Sequence, residues 1–203
     1  MNLLNEEETR SRRDYNCYKI DYNSIFSNPG LNPVLLLETV FIISSFPCEI
    51  KECTSLIYEY LVNKNQLNII EECQLNPYTI KVQTLERTFI DKVFAICDYM
   101  IGGIKARHSR HIYDLYKIYP HIKLDNNFRK LFLEIKKLRK EKKSCYSAHD
   151  DVYINELLKQ IIEDEYYKKD YNEVTKLLIN KPINYNEVIS VITKIIESNI
   201  FDY

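Results

Sequence analysis

Glycine is scarce in this chain, at three residues in 203, and tryptophan is absent. Sites built on glycine-rich turns are missing with them. There is no Gly-x-x-x-x-Gly-Lys-Ser/Thr phosphate loop and no nucleophile elbow, and there is no His-Glu-x-x-His zinc pair either. Charge of one sign is also lacking: 28 Lys and Arg stand against 29 Asp and Glu, a net charge of −1. That balance excludes a bulk attraction to nucleic acid or to a membrane surface, so any such binding must come from a local patch. Long apolar runs do not occur. "VLLLETVFII" is about ten residues, half of what a bilayer span requires, and it carries Glu38. No basic leader precedes a hydrophobic segment at the N-terminus. The six cysteines, Cys17, Cys48, Cys53, Cys73, Cys97 and Cys145, form no Cys-x-x-Cys pair. Without a secretion signal they read as reduced thiols of a cytoplasmic protein.

The composition that remains, 45% hydrophobic and 28% charged, is that of a globular chain with enough length for a substantial core. The first dozen residues, "MNLLNEEETRSR", are polar and are expected to be disordered or loosely helical. "YNCYKIDY" from Tyr15 alternates and predicts a strand. "SNPGLNP", Ser27 to Pro33, is a loop. "VLLLETVFI" is continuously apolar and partly β-branched, which predicts a buried central strand. Glu49 to Val62 fits a strand or a short helix, and "YTIKVQTL" alternates as a strand.

The texture changes after Thr84. Phe89, Val93, Ile96 and Met100 recur at helical spacing over Leu85 to Ile101, and Gly102 and Gly103 end that helix. A second helix runs from Arg110 to Tyr119 and stops before Pro120. A third, "LDNNFRKLFLEIKKLRKEKK", should bury Phe128, Leu131, Ile135 and Leu138 and keep its lysines wet. Tyr153 to Tyr167, Tyr171 to Ile179 and Tyr185 to Ser198 complete about six helices. "DYNEV" and "NYNEV" read as helix starts with Asp170 and Asn184 as caps. The expected class is α+β: a small, partial mixed sheet in residues 1–84 and a helical bundle in residues 85–203.

Several polar residues stand out against this pattern. Lys92 lies about 60° from Phe89 and about 40° from Ile96 on the helical wheel, inside the apolar arc. Either its stem packs while its head reaches water, or its ammonium meets a carboxylate or a ligand phosphate. Asp114 faces away from Ile112 and Tyr116 and stands four residues after Arg110, as an exposed ion pair would. "KARHSRH", Lys105 to His111, gathers Arg107, Arg110 and His111 near a helix start. It suits a phosphate-rich ligand or a solvated basic turn. The run Lys136 to Lys143 reads as the wet face of a helix. Glu38, alone in an apolar strand, is placed as a magnesium ligand of a phosphoryl-transfer site would be.

The segment "LERTFIDKVFAICDYMIGGIKARHSRHIYDLY" resembles the C-terminal signature of the AbiEii/AbiGii family of nucleotidyltransferase toxins. In that family a Leu-Glu-x-x-x-x-x-Lys-hydrophobic-x-Ala helix is followed by Arg-x-x-Arg-Asp/His-hydrophobic-Tyr-Asp-Leu. The counterparts here are Leu85, Glu86, Lys92, Val93 and Ala95, then Arg107, Arg110, His111, Tyr113, Asp114 and Leu115. The match is close over about thirty residues, and the helical tail of the chain resembles the end of these proteins.

The resemblance implies a polymerase-β-type core that moves a nucleotide from a nucleoside triphosphate, with Mg²⁺, to an acceptor such as the 3′ end of tRNA. A cognate antitoxin is the implied partner. Lys92 would contact the triphosphate, and Asp114 would be the second polar residue of the site. Arg107, Arg110 and His111 would bind nucleotide or RNA, and Glu38 would stand in the place of the third strand carboxylate. The sequence departs from the family pattern in one respect: it has neither the Gly-Gly-Thr-Ser turn nor the Asp-x-Asp strand. The chain therefore looks like the C-terminal two-thirds of a family member. It is expected to be catalytically incomplete, alone or beside a separate N-terminal half. The competing expectation is a non-catalytic module that binds RNA or antitoxin.

Overall fold

The structure, a computed structural model, describes residues 2–9, 15–23, 34–40 and 45–202. Two compact units divide it, Met1–Ser44 and Ser45–Tyr203, so the boundary expected at residue 84 falls inside the second unit.

In the first unit β1 (Tyr15–Asp21) pairs antiparallel with β2 (Val34–Val40), from Tyr15 opposite Val40 to Asp21 opposite Val34. The start of the chain lies along β1. Leu3 bridges Ile20, and the Asn5 side chain accepts from Lys19 N at 2.8 Å and donates to Cys17 O at 2.8 Å. A side-chain amide thus satisfies strand groups that a further strand would otherwise pair. The stretch "VLLLETV" does form a strand, but not the buried central one expected: Leu35, Leu36, Leu37 and Val40 are all exposed. A continuous apolar run satisfies the criterion for a central strand, yet burial needs a layer on each face, and β2 has none among the described residues. Phe41 and Ile42 lie outside the described residues.

The second unit opens with β3 (Cys48–Cys53), which pairs antiparallel with β4 (Tyr78–Gln83). In place of one small mixed sheet, the described strands make two separate antiparallel pairs. Between β3 and β4 come α1 (Leu56–Asn63) and α2 (Leu67–Glu72), so Glu49 to Val62 holds a strand and then a helix. Ser55 caps α1 by accepting from Tyr58 N. Six helical segments follow, preserving the α+β class. They are α3 (Leu85–Ile101), α4 (Arg110–Ile118), α5 (Asn126–Lys140), α6 (Ile154–Glu163), a segment over 168–178, and α9 (Tyr185–Glu197). The segment over 168–178 consists of α7 (Lys168–Asp170), a π turn (Tyr171–Thr175) and α8 (Lys176–Leu178). Among the described residues no helix is long and apolar enough to cross a membrane.

Helix α3 is the axis of this unit. Thr84 caps it by accepting from Arg87 N, and Phe89, Ile90, Val93, Phe94, Ile96 and Cys97 have no exposed surface. It packs against α4, α5 and α6, while α9 closes on α4 and α6. On α5 the buried set is Phe128, Phe132 and Ile135, with Phe132 stacked on Phe94 at 5.8 Å. Leu138, expected inside, is exposed, and Lys136, expected wet, is buried. The α5 axis is turned so that the buried stripe runs through Phe132, which sets an aromatic ring against Phe201 at 4.8 Å.

One buried ionic knot joins these layers. Arg87, 2% exposed, donates to Asp91 Oδ2 at 3.0 Å and to Phe46 O at 2.7 Å. Asp91 also accepts from Gln83 at 2.6 Å and from Arg139 of α5 at 2.8 Å. The knot ties the chain before β3, β4, α3 and α5 through a single carboxylate.

Candidate functional site

The polar residues singled out on α3 and α4 meet because of how the chain turns between them. Gly102 and Gly103 stop α3. Gly103 takes φ +69°, and Ile104 N donates to Tyr99 O at 2.8 Å in place of the next helical bond. The chain then crosses to Ser109 through Arg107, whose φ of 65° is left-handed and uncommon for a residue with a Cβ. Helix α4 therefore runs with its first turns beside the middle of α3.

Lys92 Nζ lies 2.7 Å from Asp114 Oδ2 and 3.2 Å from His111 Nδ1. His111 Nδ1 and Asp114 Oδ2 are 3.8 Å apart, too far for a hydrogen bond, so the lysine is the donor to both. His111 Nδ1 then acts as an acceptor, which places the ring proton on Nε2. Asp114 pairs with Lys92 across the helices and not with Arg110 on its own helix. Burial alone would raise the Asp114 carboxyl, but the hydrogen bond and charge of Lys92, with the His111 imidazole beside it, outweigh burial and hold the group below its usual range. Burial pushes the His111 imidazole below its ordinary pKa, and the neighbouring Lys92 and Arg110 charges add to that, so the ring is neutral around pH 7.

The Lys92 side chain retains 27% exposure. An ammonium has three donors, and two are engaged here, leaving one for a ligand oxygen. His111 also belongs to a stack of three rings with Tyr99 and His108. Tyr99 lies 3.4 Å from His108 and 5.8 Å from His111, centroid to centroid. His108 is also pushed down by burial, and its Nδ1 is buried without a hydrogen-bond partner.

The basic turn divides into two functions. The Arg107 and Arg110 side chains are exposed and make no ion pair among the described residues. The backbone amides of the turn, which could have cradled a phosphate, are engaged: Arg107 N donates to Asp170 Oδ1 at 2.7 Å and Ser109 N to Asp170 Oδ2 at 3.0 Å. Ser109 Oγ and Thr175 Oγ1 share a buried hydrogen bond of 2.7 Å. Asp170 was expected to cap the helix that it begins. It caps amides at the start of α4 instead. Its residue type announces a cap, but the partner lies 61 residues away, and a local pattern cannot name it. His108 was marked only as one of the histidines of the basic turn, and Tyr99 and Thr175 carried no sequence signal of their own.

Glu38 belongs to the first unit, on exposed β2, where its carboxylate accepts from Tyr15 Oη at 2.6 Å. Among the described residues no group of three or more His, Cys, Asp or Glu could hold a metal ion. Clefts of about 650, 300 and 430 Å³ elsewhere in the second unit are lined by other residues, such as Tyr153, Tyr116 and Thr84 respectively.

The family model described as nucleotidyl transferase AbiEii toxin, type IV toxin–antitoxin system, matches residues 3–187. No curated protein and no solved structure matches the chain.

Proposed function

The chain belongs to the AbiEii family of nucleotidyl transferase toxins of type IV toxin–antitoxin systems, and on that premise we propose that Lys92 is the phosphate-contacting group of its site. Membership implies an antitoxin as partner. The observation that carries the proposal is the 2.7 Å pair of Lys92 with Asp114, backed by neutral His111 at 3.2 Å. A lysine that only covered apolar surface would send its head into water. This one is gripped by two acceptors and keeps a third donor and part of its surface open. An incoming triphosphate would take that third donor and compete with Asp114 for the charge. Asp114 and His111 set the direction of the ammonium, and Lys92 neutralises phosphate charge as it passes to the leaving group.

Nucleotide transfer by this family also calls for magnesium. That ion would supply the electrostatic support for in-line displacement, and the Asp-x-Asp strand that would hold it in the family has no counterpart in this sequence. The chain by itself is therefore read as a phosphate-binding but catalytically incomplete member, with an acceptor such as tRNA left to a completed site. The test is incubation with each labelled nucleoside triphosphate, Mg²⁺ and total tRNA, beside Lys92→Ala. The expected result is no transfer of label by either protein and Lys92-dependent retention of triphosphate in a binding assay. Lys92-dependent labelling of tRNA would overturn incompleteness, and equal retention by both proteins would overturn the role of Lys92.

A second reading, a non-catalytic RNA-binding module, draws on exposed Arg107 and Arg110. Two guanidinium groups without a carboxylate partner among the described residues are available to phosphates of a backbone. A tRNA gel shift at low salt that disappears in Arg107→Ala with Arg110→Ala supports it, and no shift at low salt defeats it.

A further inference from the structure

We propose that Asp170 and Thr175 are positioning residues for the Lys92–His111–Asp114 cluster, and that the π turn between them serves to set both on one face. The two are five residues apart. In an α-helix they would stand about 140° apart around the axis, and only one could face α4. A π turn closes from i to i+5 and returns the later residue close above the earlier one. The turn Tyr171–Thr175 spans this interval.

The consequence is a three-point grip on the start of α4. Asp170 accepts from Arg107 N and Ser109 N, and the Thr175 and Ser109 hydroxyls share a bond inside the protein. Ser109 makes no side-chain cap bond to its own helix. The direction of α4 is thus set from outside it. His111 and Asp114 follow within a turn and a half and inherit that direction.

The same segment is also anchored to the helix that carries Lys92. Tyr167 Oη, buried just before α7, donates to Ile96 O of α3 at 2.7 Å. One element therefore references both halves of the cluster. Loosening the grip would let α4 shift relative to α3 and lengthen the Lys92 contacts without removing any residue of the cluster. The proposal rests on the reading of Lys92 as the phosphate-contacting group, but its test needs no phosphate.

Asp170→Ala and Thr175→Val each remove one arm of the grip, Thr175→Ser keeps the hydroxyl, and Glu173 is exposed within the π turn. Glu173→Ala is the control. Two quantities are read by NMR on the full chain: exchange of the Arg107 and Ser109 amides, and the midpoint of the His111 imidazole titration. His111 faces Lys92 and Tyr99 from α3, and His108, Arg110 and Asp114 from its own segment. The expected result for Asp170→Ala and Thr175→Val is amide exchange faster by about tenfold. With it, the His111 midpoint moves up toward its ordinary value of about 6.5. Thr175→Ser and Glu173→Ala should behave as the parent protein. If Asp170→Ala does not fold, the comparison of Thr175→Ser with Thr175→Val decides. A lower melting temperature with an unmoved His111 midpoint would overturn the proposal, leaving both residues as supports of the fold alone. Failure of tripolyphosphate to bind the parent protein would defeat the reading of Lys92 and leave this result standing.

Discussion

Asp114→Asn should weaken the fold and strengthen phosphate binding, an opposition that separates a functional lysine from a structural one. The substitution keeps the shape and removes the charge that Lys92 meets at 2.7 Å. A hydrogen bond to a charged group contributes about 1.5–3 kcal/mol when sequestered, and an exposed ion pair only about 0.2–1 kcal/mol. With side-chain exposures of 27% and 35% the pair falls between, at about 1–1.5 kcal/mol. For a unit of this size the melting temperature should drop by roughly 2–5 °C. The same energy becomes available to a competing anion. Inorganic tripolyphosphate should bind roughly five- to tenfold more tightly, since 1.4 kcal/mol is a factor of ten. Lys92→Ala should abolish that gain and most of the binding. Differential scanning fluorimetry and isothermal titration calorimetry at low salt read the two quantities. Repeating the titration at about 1 M salt, where the screening length falls to about 3 Å, should erase the difference. If Asp114→Asn binds no better than the parent and Lys92→Ala no worse, the lysine holds two helices together and does nothing for phosphate.

Asp91→Ala should be far more destabilising than any change at the cluster, by about 3–5 kcal/mol, because it strands Arg87 in the interior without its carboxylate. Urea denaturation checks this, and a loss below about 1 kcal/mol would mean that water reaches Arg87. Acidification should weaken the fold as well. The folded pKa of His111 is depressed, so the unfolded chain binds the extra proton first, and stability is present above about pH 6.5 and lost as pH falls through the folded value. His108 is depressed in the same direction and adds to the loss. Melting temperatures between pH 7.5 and 5.5 should fall less in His111→Asn than in the parent, and parallel curves would refute the assignment. Exposed Leu35, Leu36 and Leu37 on β2 and Leu56, Ile57 and Tyr60 on α1 should make the isolated chain self-associate. Light scattering after size exclusion should report more than one chain per particle, and a stable monomer would contradict this.

How far the fold is legible in the sequence differs between its halves. The helices announce themselves because apolar spacing, caps and glycine stops are local. Phe89, Val93 and Ile96 mark the buried stripe of α3, and Ser55, Thr84 and Asp125 stand where helices start. β1, β2 and β4 were found as strands and β3 was left open between strand and helix, but no strand's partner was found, because pairing joins residues far apart in the chain. "VLLLETV" carries the composition of a central strand and none of the information on what covers it. Leu138 and Lys136 on α5 exchange the roles expected of them because a rotation of the helix axis costs the sequence pattern nothing. At the site, Lys92 and Asp114 were marked by residue type and position, while Asp170 was marked as a cap without its target.

The sequence by itself determined an α+β chain of balanced charge, the boundaries of its main helices, and a lysine set among apolar neighbours on α3. Only the tertiary structure decided that this lysine meets Asp114 and His111, that Asp170 and Thr175 grip the start of α4, and that β2 is exposed. Helical periodicity is a property of neighbours along the chain. Ion pairing, capping at a distance and burial depend on which surfaces the fold brings within a few ångströms, and no spacing in the sequence encodes that.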